Sequence, residues 1–99
     1  MPAMHYRLRW PDHAETTCYS PSLVIKDYFE PGRTYPLTEF LRRVREATRI
    51  ASARVYEKYG FECSRANDQL LAIEGRAVGF AGRAGAQVEV LSFDENVAG

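Results

Sequence analysis

Little in this sequence announces a chemistry. Its 99 residues include two cysteines, Cys18 and Cys63, without the spacing of a metal site, and two histidines, His5 and His13. In a reducing compartment both cysteines are expected as free thiols. A phosphate-cradling glycine loop, H-E-x-x-H and G-x-S-x-G are all missing, so neither a metal nor a cofactor is expected. Thirteen basic residues balance thirteen acidic ones. That balance removes the overall attraction to phosphate on which nucleic-acid binders rely, and no nucleic-acid partner is expected. Apolar runs fall far short of the roughly 18 to 20 residues that span a bilayer, which argues against a membrane partner. The opening "MPAMHYRLRWPD" has no secretory h-region and reads directly into a strand, which places the protein in the cytoplasm.

What is present is an ordinary globular composition, 45% hydrophobic and 26% charged. The length suits one core, so residues 1–94 are expected to form a single α+β domain, with 95–99 a frayed tail. Met4, Tyr6, Leu8 and Trp10 alternate with His5, Arg7 and Arg9, the period of a half-buried strand. "PDHAE" supplies a turn and "ETTCYS" a second strand, giving a β-hairpin over residues 3–19. Ser20 and Pro21 suit the N-cap and first position of a short helix, which "EPGRTYP" must end. The apolar wrap of Leu23, Val24, Ile25, Tyr28 and Phe29 is too greasy for an exposed loop and is expected to cover the core.

From Thr38 to Tyr59 an apolar stripe (Leu37, Phe40, Leu41, Val44, Ala47, Thr48, Ala51, Val55, Tyr59) predicts a long amphipathic helix. Gly60 should stop it at C′, with Phe61 folding back as the apolar contact of the cap. Ser64 can cap a second long helix running to about Phe80, whose core face is Ala66, Leu70, Ile73, Ala77, Phe80 and Ala81. Leu71 and Val78 fall on another side, beside Gly75 and Gly79, and two glycines four apart suggest close approach by another backbone of this chain or of a second subunit. Residues 87–93, "QVEVLSF", form a final strand. The expected order is β-β-α-α-α-β, a three-stranded sheet with helices on one face. Its open edges and its bare face, bearing His5, Arg7 and Arg9, predict a homodimer.

The strings "RWPD", "CYSPSLVIKDYFEPG", "YPLTEFLRR" and "YGFECSRANDQL" resemble a small bacterial nitrogen starvation response family whose founding member is mycobacterial. The likeness covers about residues 3–94. It implies a context: members are commonly encoded in a gene cluster beside a nitrilase, a radical-SAM protein and an acetyltransferase-like protein. It implies no catalytic residue and no cofactor.

Three functional readings follow from the residues. The first is a non-catalytic accessory or interaction protein in nitrogen starvation and nitrile-related nitrogen scavenging, partnered by products of the nitrilase cluster and docking through the bare sheet face or the Leu71 and Val78 side. The second is a small enzyme or ligand-binding subunit for a nitrogenous small molecule. There Cys63 would gain thiolate character from the helix start and Arg65, although an inert buried cysteine is the commoner arrangement. Ser64, Arg65, Asn67, Asp68 and Gln69 would surround free helix N–H groups, although capping alone accounts for Ser64. Lys26, Asp27, Tyr28 and Tyr35 are the part of the wrap best placed to meet a ligand. The third reading, RNA binding by Arg42, Arg45 and Arg49 on the long helix, is weakened by Glu39 and Glu46, which can pair with Arg43 and Arg42.

Overall fold

A computed structural model describes residues 3–60 and 64–94. Along the chain lie β1 (Met4–Arg9), β2 (Glu15–Ser20), α1 (Ile25–Tyr28), β3 (Arg33–Pro36), α2 (Leu37–Tyr59), α3 (Ser64–Val78) and β4 (Gln87–Asp94). The strands form one antiparallel sheet in the order β2-β1-β4-β3.

The alternation in β1 sets the two faces of the sheet. Met4, Tyr6, Leu8 and the following Trp10 are buried, while His5, Arg7 and Arg9 stand opposite Tyr19, Thr17 and Glu15 on the outer face. The hairpin closes through His13 N–H to the Trp10 carbonyl (2.8 Å) and Trp10 N–H to the Ala14 carbonyl (2.8 Å). Asp12 Oδ1 accepts the Ala14 N–H at 3.0 Å. The turn puts His13 in the left-handed region, at φ 69°, where a side chain is strained. Between Arg7 and Leu8 the register against β4 slips: Leu8 pairs with Val90 but Arg7 with Ser92. The extra residue is Leu91, and this bulge switches the inward phase of β4 from Val88 and Val90 to Phe93.

The sheet has four strands, not three. The segment expected only to break a helix turns at Pro31-Gly32, with Gly32 at φ 82° and Arg33 N–H bonded to the Glu30 carbonyl. It then runs as β3 along β4. Two prolines and a glycine hide a strand only four residues long, and Pro36 ends it at the sheet edge, where proline is tolerated. The short helix also starts later than expected. Ser20 stays paired with Met4 in the ladder, and its buried hydroxyl donates to the Ser22 carbonyl at 2.7 Å. Ser20 therefore makes a bend before α1 instead of capping it.

The helices cover the inner face. α2 buries Leu37, Phe40, Val44, Ala47, Ala51 and Val55 and ends at Gly60, φ 78°, whose N–H meets the Tyr56 carbonyl at 2.7 Å; Phe61 lies outside the described residues. α3 buries Ala66, Ile73 and Ala77. Phe80 follows in tighter turns beyond the helix end and stacks on Trp10 at 6.2 Å, while Phe40 meets the same indole edge-on at 5.8 Å. The apolar wrap packs as expected: Phe29 is buried, 5.3 Å from Phe40 and 5.1 Å from Tyr35.

Candidate functional site

The first turns of α3 carry most of the proposed ligand-binding residues. Ser64, Arg65, Asn67 and Asp68 are exposed there, and Cys63 lies outside the described residues. Two members of this set engage the sheet. The Arg65 guanidinium carbon sits 3.8 Å from the centroid of the Tyr19 ring, and Gln69 Oε1 accepts the Tyr19 backbone N–H at 2.9 Å. Because β2 is an edge strand, that N–H would otherwise offer itself to another chain, so α3 covers part of an open edge. At the opposite edge, β3 is short and ends in Pro36.

Lys26 and Tyr28 lie elsewhere. Arg54 Nη1 donates to Ser22 Oγ (3.2 Å) and Arg43 Nη1 to the Tyr28 carbonyl (2.8 Å), so residues 22–28 run back along α2 toward its start. α3 begins at the other end of α2. The structure therefore keeps the two proposed binding groups apart.

The bare face of the sheet is internally neutralised. Arg7 pairs with Glu15 at 2.7 Å, and Arg9 bridges Glu15 and Glu89, each at 3.3 Å. Most of the arginine stripe on α2 is tied up as well. Glu39 takes Arg42 and Arg43 together, and the hydrogen bonds from Arg42 and then Arg43 hold its carboxyl down at about 2. Arg42 also reaches Glu46 at 3.7 Å, and Arg45 bridges to Glu74 on α3 at 2.8 Å. Arg49 makes no ion pair or hydrogen bond among the described residues.

Beside Arg49 a groove of about 590 Å³ runs between α2 and α3, with Ser52, Tyr56, Asn67 and Leu70 among its walls. The Ser52 hydroxyl is enclosed by protein atoms and has no hydrogen-bond partner among the described residues. Sequence reading passed over this groove because Arg49 is indistinguishable from Arg42 and Arg45 until their partners are known. A second cavity, about 340 Å³ beside His13 and Trp10, includes Arg9 and Glu89, already paired with each other.

On the outer side of α3, Leu71 is 67% and Val78 74% exposed. Among the described residues the expected close approach of this chain's own backbone does not occur: a Cβ on Gly75 would meet nothing within 4 Å, and one on Gly79 only the Arg76 carbonyl of its own turn. The reason lies in the packing of α3, which turns Ala66, Ile73 and Ala77 inward and leaves the glycines outside.

Cys18 is a free thiol inside the core. Burial, only partly offset by Thr16 and Arg76, pushes it up to about 11, which suppresses the thiolate needed of a nucleophile. Among the described residues no group of three or more His, Cys, Asp or Glu could hold a metal ion, and no helix is long and apolar enough to cross a membrane.

A protein-family model described as "Nitrogen starvation-induced protein NitG" matches residues 5–93. No curated protein and no solved structure matches the chain.

Proposed function

Since the chain belongs to the NitG family of nitrogen starvation-induced proteins, we propose that it is a non-catalytic interaction protein of the nitrogen-starvation response. In this reading it acts as a homodimer that serves the nitrile-related scavenging proteins encoded beside its relatives. The observation that carries the reading is the outer side of α3, where Leu71 and Val78 stand exposed on a helix with open glycines between and beyond them. The competing surfaces are poorer. The sheet face has its arginines paired, and its β2 edge is partly covered by Gln69. Covering Leu71 and Val78 stabilises a complex by about 1–2 kcal/mol per side chain, given 1.5–3 kcal/mol for complete burial of such a residue.

The test joins sedimentation of the purified chain with a pull-down of the tagged chain from nitrogen-starved cells. A dimer, stoichiometric recovery of proteins encoded in the nitrilase cluster, and loss of that recovery in Leu71→Glu at unchanged Tm are expected. A monomer that retains none of those proteins at low salt refutes the reading. A second reading, a ligand-binding subunit for a nitrogenous small molecule, is favoured by the groove beside Asn67 and by Arg49 on its wall, a guanidinium without an ion pair among the described residues.

A further inference from the structure

We infer that the groove between α2 and α3 binds a small organic carboxylate with a flat apolar body. This rests on the ligand-binding reading and leaves the interaction reading untouched.

One indication is Ser52, in the wall of the groove. A mid-helix serine ordinarily turns to solvent or back-bonds to the carbonyl four residues earlier, yet this hydroxyl is enclosed and makes no hydrogen bond among the described residues. Leaving a buried hydroxyl unpaired is unfavourable, so the wall of the groove is weakest at this point. Arg49 supplies the second indication. Of the five arginines on α2, Arg42 and Arg43 share Glu39, Arg45 holds Glu74 and Arg54 holds Ser22. Arg49 alone has its planar donor fork unengaged among the described residues, the geometry that suits a carboxylate.

The surroundings set the rest of the ligand. The Arg45–Glu74 bridge neutralises the other guanidinium of the groove, so the site offers one net cation. One carboxylate matches it; a polyphosphate or a nucleic-acid backbone, which needs several cations, does not. Leu70, half-buried, and the 58% exposed Tyr56 offer apolar and aromatic surface. The Asn67 amide adds a donor and an acceptor from α3. At about 590 Å³ the space suits a fragment-sized molecule.

The experiment is a backbone-amide NMR titration of the whole chain with benzoate, its neutral isostere benzamide, and inorganic phosphate. Benzoate should shift the amides of Ser52, Ala53, Tyr56 and Asn67 with a Kd of about 1 mM, ordinary for so small a ligand. Benzamide should bind at least about tenfold more weakly, the share of one charge-assisted hydrogen bond. Arg49→Gln should weaken benzoate by a similar factor and leave benzamide unchanged. Ser52→Ala, which removes the orphaned hydroxyl, should raise the Tm of the free protein. Three results overturn the proposal: shifts that phosphate reproduces equally, benzoate affinity indifferent to Arg49→Gln, or a lowered Tm in Ser52→Ala. Arg49 and Ser52 are on α2, so the partner pull-down through α3 reports separately on the interaction reading.

Discussion

Replacing Gln69 by alanine removes the acceptor that α3 offers to the Tyr19 N–H, at 2.9 Å, and leaves the Arg65 guanidinium over the Tyr19 ring. A neutral hydrogen bond of this kind contributes about 0.5–1.5 kcal/mol, and water can partly replace it at a half-buried edge, so about 1 kcal/mol is expected. In a domain of this size that lowers Tm by roughly 4–8 °C. The local consequence is sharper than the global one. Hydrogen exchange followed by NMR should show the Tyr19 amide losing protection while Cys18, buried inside the ladder, keeps its own. Gln69→Glu retains an acceptor and should preserve the protection, which separates the hydrogen bond from side-chain bulk. With the edge uncovered, Gln69→Ala combined with Arg65→Ala should also self-associate more readily through β2. If the Tyr19 amide exchanges as slowly in Gln69→Ala as in the wild type, α3 does not guard this edge, and the argument against sheet-edge dimers falls with it.

Three further outcomes are expected. His13→Gly relieves a side chain held at φ 69° and should raise Tm by a few degrees, equivalent to about 0.5–1 kcal/mol after the added freedom of the unfolded chain is counted; a lower Tm would show that the imidazole makes native contacts. The Cys18 thiol, raised by burial from 9.0 to about 11, should resist iodoacetamide in native protein and react once urea unfolds it. Its linkage to stability is fully present below pH 9 and is lost as pH rises toward 11, because the unfolded thiol gives up its proton first; rapid native labelling of Cys18 would contradict this. Glu39, lowered to about 2 by Arg42 and Arg43, contributes stability that is present above the ordinary carboxylate range and declines as pH falls toward 2. Urea midpoints between pH 5 and pH 2 should therefore drop less steeply in Glu39→Gln than in the wild type, and equal slopes would exclude the contribution.

β1 and α2 were legible in the sequence because each carries an uninterrupted period: the alternation from Met4 to Trp10, and the stripe from Leu37 to Val55 that packs inward almost residue for residue. β3 was not, because its identity as a strand comes from pairing with Val88 and Val90 rather than from its own pattern. The Leu91 bulge was equally hidden, since a phase switch inside β4 has meaning only against β1. The start of α1 was misplaced because Ser20 has the residue type of a cap but is committed to the ladder with Met4. The groove was invisible for a related reason. Its distinguishing properties are what Arg49 and Ser52 lack, and a missing partner cannot be read until every partner has a position.

These particulars converge on α3, whose 15 residues divide among four surroundings. Ala66, Ile73 and Ala77 face the core, Arg65 and Gln69 lean on the edge of β2, Asn67 and Leu70 wall the groove, and Leu71 and Val78 face solvent. At 3.6 residues per turn Arg65 and Gln69 project away from Leu71 and Val78 on a rod about 22 Å long, while Asn67 lies one turn before Leu71 on the same side, where the groove borders the exposed face. A substitution on one side can therefore leave the others intact, unless it unfolds the helix. Thus Gln69→Ala should alter the exchange of Tyr19 without touching the benzoate response, and Leu71→Glu should abolish partner capture without exposing the β2 edge. If either substitution instead changed all three readouts together, α3 would be acting as one cooperative unit, and the separate surfaces assigned to it would have no independent meaning.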